Sequence, residues 1–310
     1  MLVSELIRYR DEVIAVLDQI DLSPGISVVC QKLHQLTATH PDSADHEKIN
    51  FIKSEFDKII PITINLKDQL ATILPDINKA IDTLARELHP RNTIDFFNFY
   101  HRTEFNIDKE ILEIVKGQIY QNAHHHYTGL QFGCTPHSKV LTSELVANDP
   151  LYLCDFSPDN VEDIAKQFNE IYYGRLRKYT IIDHDVTILP HNQFGFIFSW
   201  MLFNYTNETC IQEYLKKMLV LLRPGGRFLF SYNNCDLLES CVLAEAGGMG
   251  YISKRQLIAF CQQEGFELVN EYDLPNNDQH VKWISWIEIK KPGKLSTVKL
   301  RQVLGEIKRK

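Results

Sequence analysis

Glycine is scarce at the start of the chain. Of 14 glycines in 310 residues, only Gly25 and Gly117 fall within residues 1–118. Strand-and-turn architecture depends on such residues for its tight turns, so this stretch is expected to be helical. The seven cysteines, Cys30, Cys134, Cys154, Cys210, Cys235, Cys241 and Cys261, are odd in number and form no CxxC. That excludes a zinc knuckle and a disulfide framework, and implies a reducing, cytoplasm-like compartment. Reduced cysteines at strand ends, as expected for Cys134 and Cys154, behave as small apolar residues. Residues 1–20 carry charges every few positions, and no apolar run is long enough for a membrane span, so neither a signal peptide nor a membrane is expected. Positive charge is lacking in the body: residues 1–290 carry a net −13 against +6 from Lys291 onward. An acidic body is not that of a dedicated nucleic-acid binder. The basic tail reads as a solvated terminal helix, with contact to an anion as the alternative.

Hydrophobic content of 44% is enough for a sizeable core, and the length allows two domains. Leu2, Leu6, Val13 and Leu17 mark one helical face, and Ile49, Ile52, Phe56, Ile59 and Ile60 mark another. Leu66, Leu70, Ile73, Ile77, Ile81, Leu84 and Leu88 step by three or four residues, a heptad-like spacing. Pro75 lies inside that run and must kink the helix or begin a new one. Residues 1–118 are therefore expected to be a helical bundle or hairpin, whose apolar stripe serves either its own core or homo-oligomer contact.

From Tyr127 strands alternate with helices. Strands are expected at 129–132, 151–155, 179–183, 194–200, 227–232, 266–272 and 283–290, with helices at 139–147, 159–172, 208–222 and 253–264. Ser157 or Asp159 and Ser253 are the expected N-caps, and Gly265 a C-cap. Such alternation implies an α/β domain over 119–292, with a doubly wound, mostly parallel seven-stranded sheet. The last two strands lack an intervening helix and add an antiparallel pair. Residues 293–310 form the tail.

Within that domain, Leu130-Gln131-Phe132-Gly133-Cys134 ends a strand in a glycine turn. Asp155 closes the next strand, 22 residues after Gly133. Strand, glycine turn, helix and second strand ending in an acid is the layout of a nucleotide-type cofactor site. There the glycine lets backbone approach the ligand, and the carboxylate accepts from both ribose hydroxyls.

Residues 125–292 resemble the class I S-adenosylmethionine-dependent methyltransferase family. The resemblance rests on Leu130–Cys134, Leu153-Cys154-Asp155-Phe156-Ser157, Asp185-Val186-Thr187-Ile188-Leu189-Pro190, Phe194–Ser199 and Leu222-Arg223-Pro224-Gly225-Gly226-Arg227-Phe228-Leu229-Phe230. It implies a Rossmann-like methyltransferase fold with S-adenosyl-L-methionine as cofactor. Gly133, Asp155, Phe156, Asp185, Val186 and Ser199 would line the site, with Asp155 on the ribose, Asp185 on the adenine amine and Val186 against the ring. Tyr127 either covers the methionine end or packs. The chain departs from the pattern at Gln131, where the family usually has an acid, at Thr135 and His137, which replace glycines, and at Gly195.

Methyl transfer is an in-line displacement that needs positioning and, for some acceptors, proton removal. Asn204, Tyr205, Tyr232, Asn233 and Asn234, at strand ends, and His280, between the last strands, are the candidates; Tyr205, Tyr232 and His280 are the titratable ones. No Asn-Pro-Pro-Tyr, Asp-Pro-Pro-Tyr or Pro-Cys occurs, which argues against methylation of DNA bases. His124-His125-His126 suggests a metal, but neighbours on a strand point to opposite faces, so no metal site is expected and one of the three is left to line the cofactor mouth. Two readings stand: a methyltransferase for an unidentified small-molecule, saccharide or protein acceptor, or a catalytically impaired protein of the same fold with a binding or assembly role.

Overall fold

A computed structural model describes residues 2–21, 32, 35, 46–88, 107–134, 138–182, 185–247, 249–276 and 282–295. Thr135, His137, His280 and nearly all of the basic tail lie outside these residues. The chain divides into two units, residues 1–87 and 88–310, each taken by itself.

The first unit contains helices α1 (Val3–Asp21) and α2 (His46–Leu88). At 43 residues α2 is about 65 Å long. Pro61 and Pro75 lie inside it, so the two expected helical faces belong to one helix and Pro75 starts no new one. On α1, Val3, Ile7 and Val13 are buried, as are Ile77 and Ile81 on α2. The same stripe is exposed nearer the amino end of α2, at Ile52, Ile59, Leu66 and Ile73. No described helix is long and apolar enough to cross a membrane.

The second unit opens with α3 (Lys109–Asn122), which buries Ile111, Val115 and Ile119 in the core of the sheet. The domain boundary expected between 118 and 119 therefore falls inside a helix. Apolar packing of its face, which sequence texture does not report, assigns α3 to the sheet.

The strands are β1 (Thr128–Phe132), β2 (Leu151–Asp155), β3 (Arg177–Thr180), β4 (Phe194–Phe203), β5 (Leu222–Tyr232), β6 (Glu267–Pro275) and β7 (Trp283–Lys290). Their order is β3-β2-β1-β4-β5-β7-β6. β1 to β5 run parallel, and β7 is antiparallel to both β5 and β6. This is the doubly wound, mostly parallel seven-stranded α/β sheet, with an antiparallel last pair, expected from the alternation of strands and helices. Every residue of β4 is buried, as a central strand covered on both faces requires. Helices α4 (Lys139–Leu145), α5 (Pro158–Ala165), α6 (Glu170–Tyr173), α7 (Glu208–Leu221), α8 (Leu238–Glu245) and α9 (Lys254–Gln263) complete the unit.

Three local expectations change. The helix expected over 159–172 is two helices, because Asn169 caps a second start by accepting from Tyr172 N–H at 2.9 Å. Arg223-Pro224-Gly225-Gly226 is no separate loop: β5 begins at Leu222, directly after α7. Gly225, at φ 79°, donates its N–H to the Lys291 carbonyl at 2.9 Å, and Lys291 N–H returns a 2.9 Å bond to Gly226. The Lys291 ammonium donates to the carbonyls of Leu219 and Leu222 and to Asn192 Oδ1, each at 2.8 Å, which closes the end of α7. Ser253 precedes α9 without a side-chain cap, since its hydroxyl bonds Asp236 instead, at 3.0 Å to Oδ1.

Candidate cofactor site at the carboxyl edge

In a parallel sheet ligands bind beyond the carboxyl ends of the strands, where the winding reverses. β1 lies between β2 and β4 at that reversal. It ends in Gly133, whose φ of 89° suits glycine and whose N–H donates to the Cys154 carbonyl at 2.9 Å. The next N–H, of Cys134, donates to Asp155 Oδ2 at 2.6 Å. Asp155 Oδ1 accepts from Ser157 N–H at 2.8 Å and from the Asn160 amide at 3.2 Å. The carboxylate is wholly buried. It joins the ends of two neighbouring strands to the start of α5, whose N-cap is Ser157.

Gln131 works beside it. Its amide donates to Ser138 Oγ at 2.8 Å and to the Gly133 carbonyl at 3.4 Å, so it braces the glycine turn from below. Gln131 Oε1 is buried with no hydrogen-bond partner among the described residues, as is Ser199 Oγ on β4. Burial and the neighbouring Asp155 push the Cys134 thiol well above its ordinary value, and burial raises Cys154. Neither is a ready nucleophile.

The other candidates spread out. Phe156 is half-buried, with edge-on contacts to Phe132 and Tyr214. Asp185 is exposed beyond β3, and its carboxylate is held below the ordinary range by hydrogen bonds from Thr187, including the N–H at 2.9 Å. Val186 is buried in the core. Tyr127 stands at the opposite edge. It precedes Thr128, which pairs with Phe194 at the amino ends of β1 and β4. Its ring fills the space over Gly195, where a Cβ would collide with it, and its hydroxyl donates to the Asn122 carbonyl at 2.8 Å. From there to Gly133 is roughly 20 Å of strand. Of the two roles left open for Tyr127, packing is the one this position serves.

At the ends of β4 and β5 the register shifts between Ser199 and Phe203, and Met201 adopts φ 58°. Such a conformation in a residue other than glycine stores strain. Its N–H donates to Ser231 Oγ at 2.7 Å, and that hydroxyl donates to Asn204 Oδ1 at 2.8 Å. Asn204 Nδ2 is buried without a hydrogen-bond partner among the described residues. Tyr205 and Tyr232 are buried. Burial, reinforced by Asp273 and Asp236, drives the Tyr232 phenol far up, so it stays protonated and is unsuited to act as a base. Asn233 donates to the carbonyls of Ser240 and Gly250, and Asn234 donates to Asp273, which makes both of them ties between loops. The Met201 strain, the Gln131 brace and the Asn160 contact had no signal in the sequence beyond proximity to the motif.

His124, His125 and His126 follow α3 in a turn, not a strand. Their rings therefore converge, with centroids 4.0 to 4.5 Å apart, at the amino edge with Tyr127. The opposite-face argument against convergence fails because it requires extended backbone, and none of them lines the carboxyl edge.

No protein-family model matches the chain, and no curated protein sequence does. Among solved structures it is similar to the N-methyltransferase NodS from Bradyrhizobium japonicum WM9, at 14% identity and a TM-score of 0.47, over 60% of this chain and 98% of that one. It is also similar to geranyl diphosphate C-methyltransferase from Streptomyces coelicolor A3(2), solved with Mg2+, geranyl diphosphate and S-adenosyl-L-homocysteine. That match has 10% identity and a TM-score of 0.49, over 68% of this chain and 97% of that one.

Proposed function

We propose that the chain is an S-adenosyl-L-methionine-dependent methyltransferase acting on an unidentified small-molecule, saccharide or protein acceptor. The observation that carries this reading is the Gly133–Asp155 pair: a left-handed glycine and a buried acid at adjacent strand ends, at the point where the winding reverses. The buried oxygens of Gln131 and Ser199 fit a bound polar ligand, which would satisfy them. Asp155 would take the ribose hydroxyls, Gly133 would admit the cofactor backbone-close, and Asp185 would accept from the adenine amine. The cofactor supplies an electrophilic methyl group on a sulfonium. The chain's part is to hold the acceptor in line and keep water away. In this reading the exposed apolar stripe of α2 supports self-association.

The second reading, a catalytically impaired protein of the same fold, draws support from one feature. Asp155 accepts at least three N–H donors, and a carboxylate offers about four acceptor positions. Calorimetric titration with S-adenosylmethionine and S-adenosylhomocysteine separates the alternatives. Binding tighter than about 1 mM, roughly −4 kcal/mol, is expected, and its absence removes the enzyme reading. Asp155→Asn, folded by circular dichroism, should weaken both ligands; unchanged affinity would end the ribose assignment. Cofactor binding without detectable turnover on acceptor panels favours the impaired protein.

A further inference from the structure

We propose that His124, His125 and His126 form a binding site for one divalent transition-metal ion of the zinc, nickel or copper class. This site is independent of the cofactor reading, since it lies at the amino edge of the sheet. The ligating atoms of the three side chains all lie within 4.8 Å of one another. A tetrahedral ion with metal–nitrogen bonds of about 2.0 Å sets its ligand nitrogens roughly 3.4 Å apart. Side-chain rotation that closes the separation by at most about 1.4 Å suffices, and His124 and His125 are exposed enough to rotate.

Chemistry selects the ion. Three imidazoles are borderline ligands that favour zinc, copper or nickel, whereas calcium and magnesium require oxygen. Electrostatics adds a second, independent contribution. The cluster begins two residues after α3 ends, and no basic residue occupies the last turn of that helix. The carbonyl end of a helix attracts positive charge. Three protein ligands leave a fourth position open to water.

Coordination also has a definite local cost. His126 N–H donates to His124 Nδ1 at 3.2 Å. In a neutral ring whose Nδ1 accepts, Nε2 carries the proton, so binding by His124 exchanges this bond for the metal bond. What the ion would gain is a clamp. It closes the turn between α3 and β1, where Asn148 Oδ1 already accepts from His124 N–H at 3.2 Å and Tyr127 packs over Gly195.

The test is zinc titration of chelator-treated, full-length protein by calorimetry, with calcium and magnesium as controls. One zinc per chain is expected, together with a rise in melting temperature and no response to calcium or magnesium. His125→Ala alone should lower affinity at least about tenfold, and substitution of all three histidines by alanine should abolish it with the circular dichroism spectrum intact. Absence of zinc binding, unchanged binding in the triple variant, or single variants all within about twofold of the parent would overturn the site. Equal binding of calcium would do the same.

Discussion

The backbone N–H of Cys134 donates to Asp155 Oδ2 at 2.6 Å, so the acid that ends β2 holds the turn that ends β1. The residue read as a ligand for ribose is at the same time a structural anchor for the loop beside it. Any substitution there tests two roles at once, and stability must be measured alongside binding.

Asp155→Ala removes the acceptor for Cys134 N–H, Ser157 N–H and the Asn160 amide at a wholly buried position. Buried donors left without a partner cost about 1–3 kcal/mol each when nothing replaces it. We expect a loss of about 3 kcal/mol in urea unfolding, with Asp155→Asn losing less because one oxygen remains. A change below about 0.5 kcal/mol for the alanine variant would contradict the anchoring role.

Gly133→Ala forces a Cβ into φ 89°. The strain should cost about 1–2 kcal/mol and weaken S-adenosylmethionine in parallel, since the turn shifts to relieve it. Gly117, in the middle of α3 with open space around it, is the control: Gly117→Ala should be neutral or stabilising. Equilibrium unfolding of the two variants checks the contrast.

Arg227 pairs with Glu288 across β5 and β7 at 2.6 Å, where the Glu288 side chain is 1% exposed and that of Arg227 40%. Removing the arginine leaves a buried carboxylate without its cation. Arg227→Met should cost about 2 kcal/mol, less than at a fully dry site because water reaches the arginine. Adding Glu288→Gln should restore part of that loss, a coupling that a double-mutant cycle measures.

Asp273 accepts from Lys254 at 2.8 Å, Ser285 at 2.6 Å and Asn234 at 3.1 Å. Burial raises its pKa, but these bonds outweigh it and hold the carboxyl below its ordinary value. A depressed folded value stabilises the fold above the unfolded pKa of about 3.9, and that stability is lost as pH falls through the folded value. Between pH 5 and 7 the Asp273→Asn variant should be less stable than the parent by a constant margin. The margin should shrink as pH drops below about 4. Urea midpoints at neutral and acid pH decide it, and a margin growing toward low pH would reverse the sign.

The alternation of strands and helices was legible because it is local. Period-two apolar runs, glycine turns and capping residues act within a few positions, and all seven strands sit close to where those signals put them. The third shows the limit: expected at 179–183, it forms at 177–180, because pairing with Tyr152–Asp155 decides which residues of a short polar segment join the sheet. The break between α5 and α6 is different: the Asn169 cap is itself a local signal, three residues from Tyr172, that helical periodicity ran through.

The sequence by itself determined that an acid follows a glycine turn at cofactor-like spacing, and that Val3–Asp21 and His46–Leu88 are helical. The tertiary structure decided which strands are neighbours, which N–H groups fill the oxygens of Asp155, that Tyr127 stands at the far edge, and that three histidines meet in a turn. These are contacts between residues whose relative placement no short-range propensity encodes. Only the assembled sheet, which brings the ends of β1 and β2 together and sends the two ends of β1 to opposite edges, could settle them.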